Sequence, residues 1–184
     1  MQYNEVMQKR RRNFLVHEAY IADYCVKHYP PGTWRLHVRL GSHAKHIEES
    51  PLTEEEKAIF KIYWPYCDAL VILENEVHII EAYLRFEHGK VEQLLDYIKF
   101  FKITPEFKEH WNKPVIGILL TPLEDPVNEY KARQLGLRYV LYRPSWIIPY
   151  LLSVDRRKLT ARFAPIKDVV EKLKFEEWKE YIST

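Results

Sequence analysis

Hydrophobic residues return every three or four positions between residues 4 and 28, at Val6, Phe14, Leu15, Ala19, Ile21, Ala22 and Val26. That spacing is one face of a helix, and Pro30-Pro31-Gly32 ends it. From Thr33 to Leu40 the period drops to two. Trp34, Leu36, Val38 and Leu40 then share one face and Arg35, His37 and Arg39 the other, which predicts a strand with a core side and a basic side. Gly41 to Trp64 reads as an insertion with its own helix. Thr53 and Glu56 stand at capping-box spacing there, and Ala58, Ile59 and Ile62 supply an apolar side. His43, His46, Glu48 and Glu49 in the same insertion lack a third ligand at a defensible spacing, so they read as a polar loop.

Two further apolar runs, Tyr66 to Leu73 and Val77 to Arg85, are joined by Glu74-Asn75-Glu76, a link short enough to predict a hairpin. Gly89 to Ile103 is a helix with Val91, Leu94, Leu95, Ile98 and Phe101 on one face, ended by Thr104-Pro105. Val115 to Leu120, between Pro114 and Pro122, has the continuous apolarity of a strand covered on both sides. Asp125-Pro126 opens the next helix as N-cap and N1, Gly136 closes it, and Leu137 to Tyr142 is a fifth strand. The order predicts an α/β protein whose mixed sheet has an antiparallel meander, then parallel strands, with helices on both faces.

Beyond Tyr142, the segment around Trp146, Ile147, Ile148 and Leu151 is aromatic and apolar. Arg156-Arg157-Lys158 is basic, and Ile166, Val169, Val170, Leu173, Trp178 and Tyr181 follow at helical spacing. We divide the chain into a domain at 1–153, with the insertion at 41–64, and a C-terminal segment at 154–184. The final helix packs back on the domain, or docks a protein partner or a second copy of the chain.

Composition changes this picture little. Hydrophobic residues at 47% and charged residues at 29% belong to an ordinary globular chain of 184 residues, and a net charge of +2 does not announce a nucleic-acid partner. Cys25 and Cys67 are too few for a disulfide framework. Lys9-Arg10-Arg11-Arg12 has no apolar run after it, and no stretch approaches the roughly 18 apolar residues of a membrane span. The expectation is a soluble cytoplasmic protein without membrane partners.

The candidate chemistry lies in the hairpin. Asp68 and Glu81 each stand in otherwise hydrophobic strands, and an ionised carboxylate facing inward is costly unless a cation accompanies it. Asp68 at the head of the second strand, Glu81 inside the third, and Gly89 followed by Glu92-Gln93-Leu94 in the next helix resemble the PD-(D/E)XK nuclease superfamily. Glu18 on the first helix and Arg39-Leu40-Gly41 after the first strand look like their counterparts in archaeal Holliday junction resolvases. The resemblance spans about residues 10 to 143 and implies a restriction-endonuclease-like core. It implies Mg²⁺ or Mn²⁺ held by Asp68, Glu81 and the carbonyl of Ala82, Glu18 orienting water or a second ion, and Gln93 fixing the helix start. The activity implied is metal-dependent DNA endonuclease cleavage.

Where the superfamily motif has lysine, this chain has Tyr83, which is neutral at pH 7 and supplies no positive charge. Strand alternation puts Arg85 on the same face, and Lys90 or Lys99 could reach in from the next helix. Phosphate contacts are expected from Arg10, Arg11, Arg12, Arg35, Arg39 and Lys90. DNA, branched or single-stranded, is the expected partner. The alternative is a degenerate nuclease-fold module that binds nucleic acid or serves assembly in a phage or mobile-element complex.

Overall fold

The computed structural model describes residues 3–41, 51–57 and 64–153, with the side chains of 3–15 left aside. The His43/His46 loop, most of the insertion, Arg156-Arg157-Lys158 and the final stripe lie outside the described residues, as do the side chains of Arg10, Arg11 and Arg12. The chain divides into two compact units, Met1–Tyr142 and Arg143–Thr184. In the second, the Ile147 amide donates to the Pro144 carbonyl, and a helix runs from 147 to the last described residue.

The first unit runs α1 (Tyr3–His28), β1 (Trp34–Arg39), β2 (Tyr66–Ile72), β3 (Val77–Ala82), α2 (Lys90–Phe101), a 3₁₀ turn (Pro105–His110), β4 (Val115–Thr121), α3 (Pro126–Gln134) and β5 (Arg138–Leu141). The five strands lie in sequence order in one sheet. β1, β2 and β3 pair antiparallel, and β4 and β5 continue parallel to β3, as the alternation of elements predicts. No helix among the described residues is long and apolar enough to cross a membrane.

Faces follow from register. Leu70 lies opposite Ile79, and Val77 and Ile79 share the core with Val91, Leu94, Tyr97 and Phe101 of α2. His78 and Ile80 point the other way, where the Tyr29 hydroxyl, just past α1, meets His78 Nδ1 at 2.9 Å. α1 and α2 therefore cover opposite faces of β3. Gly117 on β4 is where α2 comes close, since a Cβ there would stand 2.9 Å from Ile98 Cδ1 and 2.7 Å from Leu137 Cδ2.

Local signals act as expected at several points. The Thr53 amide donates to Glu56 Oε2 and the Glu56 amide to Thr53 Oγ1, a reciprocal capping box. Asp125 accepts from the Asn128 amide at 3.1 Å with Pro126 behind it, and Gly136, at φ 72°, ends α3. The hairpin link closes through the Leu73 amide on the Glu76 carbonyl at 2.9 Å. Two expectations need adjusting. β3 ends at Ala82, so its alternation does not extend to Arg85. His37, expected on a solvated basic face, has φ 51° and is half-buried.

Candidate active site

At the end of the β2–β3 hairpin remote from its turn the antiparallel ladder stops. Its pairs run from Ile72 with Val77 to Ala69 with Ile80, and the next step sets Asp68 against Glu81 on the face of Leu70 and Ile79. One step further the Ala82 peptide makes side-chain bonds. Its N–H donates to Asp68 Oδ2 at 2.7 Å, and its carbonyl accepts from His17 Nε2 at 3.1 Å. His17 Nε2 is also 3.6 Å from Asp68 Oδ2, so this imidazole of α1 borders the carboxylate directly.

Asp68 is 6% and Glu81 2% exposed. Burial pushes the Asp68 carboxyl up, to about 6, against the opposing pull of the Ala82 amide and the Lys90 charge. Burial, and then the charge of Asp68, pushes Glu81 up to about 8 despite Lys90. Two acids this close hold a shared proton more tightly than either would alone. Lys90, the first residue of α2, puts Nζ 2.8 Å from Glu81 Oε1 and 3.2 Å from Glu87 Oε2. Burial alone would lower this ammonium's pKa; Glu81, Glu87 and Asp68 outweigh it and raise it. Glu81 Oε2 is buried without a hydrogen-bond partner.

One turn along α2, Gln93 Nε2 donates to the Tyr97 hydroxyl. Burial, and then the charge of Glu81, pushes that hydroxyl up to about 12, which places Tyr97 within the field of the carboxylates. Glu18 stands one step away from the pair, with Oε1 2.7 Å from His37 Nε2, and the positive charge available to His37 acts on Asp68. His37 is opposite Asp68 where the β1–β2 register skips a pair, and a left-handed φ in a non-glycine residue is strained backbone.

The other expected residues fall elsewhere. The Tyr83 hydroxyl donates to Asp125 Oδ2 at 3.3 Å, at the cap of α3. Arg85 is exposed in the loop after β3, and Lys99 pairs with Asp96 on the surface. Arg35 pairs with Glu106 at 2.8 Å, and the Arg39 guanidinium lies over the Trp64 ring at 5.8 Å. The site thus gathers Asp68, Glu81, Lys90 and Gln93 from the sequence reading and adds His17, His37 and Tyr97. Gln93 and Tyr97, four apart on a helix, share a face, which was a usable signal. His17 had none beyond its place beside Glu18.

Among the described residues no three His, Cys, Asp or Glu side chains are arranged to hold a metal ion between them. Two carboxylates with one unpartnered oxygen still suit a small hard cation that completes its shell with water and substrate oxygen, as Mg²⁺ does. The Ala82 carbonyl is engaged by His17 and keeps one lone pair for such an ion. No family model, no curated protein and no solved structure matches the chain.

Proposed function

We propose that the protein is a divalent-metal-dependent DNA endonuclease that hydrolyses phosphodiester bonds at Asp68 and Glu81, on a restriction-endonuclease-like core of PD-(D/E)XK type. The observation that carries this reading is the facing, buried pair of carboxylates with Glu81 Oε2 lacking a partner. A buried carboxylate pair with one oxygen left unsatisfied is costly in the isolated chain, and a cation bound there relieves that cost.

Asp68 and Glu81 would hold the ion, with the Ala82 carbonyl beside them. Mg²⁺ or Mn²⁺ bound there supplies an acidified water and positive charge for the phosphoryl oxygens. Lys90 takes the place left vacant by Tyr83: its ammonium reaches the site from α2, already drawn in by Glu81. It holds the charge that builds on the phosphate, an interaction that strengthens towards the transition state. Gln93 and Tyr97 brace the first turn of α2, from which Lys90 projects. His17 fixes the Ala82 peptide and Asp68 relative to each other. Arg39, and Arg35 beyond it, stand on β1 for the DNA backbone.

The experiment is cleavage of plasmid, single-stranded and branched DNA with Mg²⁺ or Mn²⁺, beside a Glu81→Ala control. Metal-dependent cutting that the substitution abolishes is expected; no cutting, or cutting that survives it, removes the reading. A binding or assembly module without chemistry is the second reading, and the Lys90–Glu81 pair favours it by balancing one carboxylate without an ion. Such a module binds DNA with steep salt dependence and cuts nothing.

A further inference from the structure

Two exposed aromatic rings lie in segments that adjoin the carboxylates, the start of β2 and the loop whose Glu87 shares the Lys90 ammonium with Glu81. Tyr66, 42% exposed, opens β2 two residues before Asp68 and therefore shares its face. Phe86, 37% exposed, lies in the loop that joins the strand of Glu81 to the helix of Lys90. Each ring has a cation close by in the chain or in the sheet. Arg39 is the cross-strand partner of Tyr66, with its own guanidinium laid over Trp64, and Arg85 immediately precedes Phe86. The His37 ring meets the Tyr66 ring edge-on, 5.7 Å between centroids.

Aromatic rings interleaved with cations around a phosphate-handling centre have the composition of a surface that stacks bases and follows a backbone. Within a duplex the base faces are already stacked on one another. Only an unpaired strand can turn a base towards each ring while its phosphate descends to carboxylates that are 6% and 2% exposed. We propose that Tyr66 and Phe86 are stacking platforms for the nucleobases on either side of the scissile phosphate, so that the strand taken by the site is unpaired there. This rests on the nuclease reading for its scissile phosphate, but stacking itself is measurable without cutting.

The test is fluorescence anisotropy with a labelled short DNA strand, and with its duplex, in EDTA. The single strand is expected to bind at least ten-fold more tightly than the duplex. Tyr66→Ala and Phe86→Ala should each weaken single-strand binding by about ten-fold, a typical loss for one stacked base, and leave its salt dependence unchanged. Tyr66→Phe should retain wild-type affinity and Tyr66→Leu should behave as alanine does, which separates an aromatic face from mere apolar bulk and guards against a folding defect. Equal affinity for strand and duplex, alanine variants that bind as wild type, or leucine as good as phenylalanine would each overturn the proposal. Aromatic-dependent single-strand binding without metal-dependent cutting upholds stacking and sinks the nuclease reading. Metal-dependent cutting indifferent to strandedness and to both rings does the reverse.

Discussion

Glu81→Gln isolates the energetic cost on which the site is built. The substitution keeps shape and hydrogen-bonding capacity and removes the titration. Glu81 is held protonated in the fold up to about 8, against 4.5 for an ordinary glutamate. As pH rises from about 4.5 to about 8, the unfolded chain releases a proton that the folded chain retains, so wild-type stability without metal falls over that window. That difference corresponds to at most about 5 kcal/mol. The net gain of the variant is smaller, because Asp68 shares the proton and Lys90 loses an ion-pair partner. We expect Glu81→Gln to be more stable than wild type by about 1–3 kcal/mol at about pH 8.5 in EDTA, or roughly 3–8 °C in Tm, and nearly equal at about pH 5. Excess Mn²⁺ should reverse the order at the higher pH, since only the wild type gains from binding. Thermal denaturation at the two pH values, with EDTA and with Mn²⁺, reads all of this. A variant that is less stable than wild type at about pH 8.5 in EDTA would refute the reasoning, because the Lys90 ion pair would then outweigh desolvation.

Substitutions at Lys90, Tyr83 and Gly117, with Lys99 as a control, test the surroundings. Lys90→Ala should lower DNA cleavage by roughly 100-fold or more, with partial recovery in Lys90→Arg, whereas Lys99→Ala, whose ammonium pairs with Asp96 on the surface, should cut as wild type. Tyr83→Phe should lose roughly 1 kcal/mol of stability, through its hydroxyl bond to Asp125, with cleavage unchanged; a large fall in cleavage would make Tyr83 the motif residue after all. Gly117→Ala should destabilise by about 1–3 kcal/mol in denaturant unfolding, because its methyl would press on Leu137 and Ile98, and should slow cleavage by displacing the helix that carries Lys90.

Much of the sheet was legible because each strand announces itself locally. The period-two run from Trp34, the short Glu74-Asn75-Glu76 link and the proline-bounded run at Val115 each fix one element, and the βα alternation fixes the parallel half. Asp68 and Glu81 were legible for a related reason, since a carboxylate in an apolar strand is costly enough to stand out. Residues set by tertiary geometry were not. The loop after Ala82 turns Arg85 out of the strand's alternation and returns the chain at Lys90, so the nearest cation to Glu81 is nine residues away rather than four. His37 departs from its alternation through a positive φ, which no composition rule for histidine foretells. His17 reaches Asp68 only because α1 crosses the sheet at that point, a contact between residues 51 apart in the chain.

The most direct measurement is a calorimetric titration of the metal-free protein with Mn²⁺ near pH 7.5. The account requires saturable binding that Asp68→Asn and Glu81→Gln each weaken severely and Tyr83→Phe leaves intact, with proton release to the buffer as the carboxylate pair gives up the proton it shares. Absence of saturable binding in the wild type, or binding that persists with both acids replaced, would contradict it.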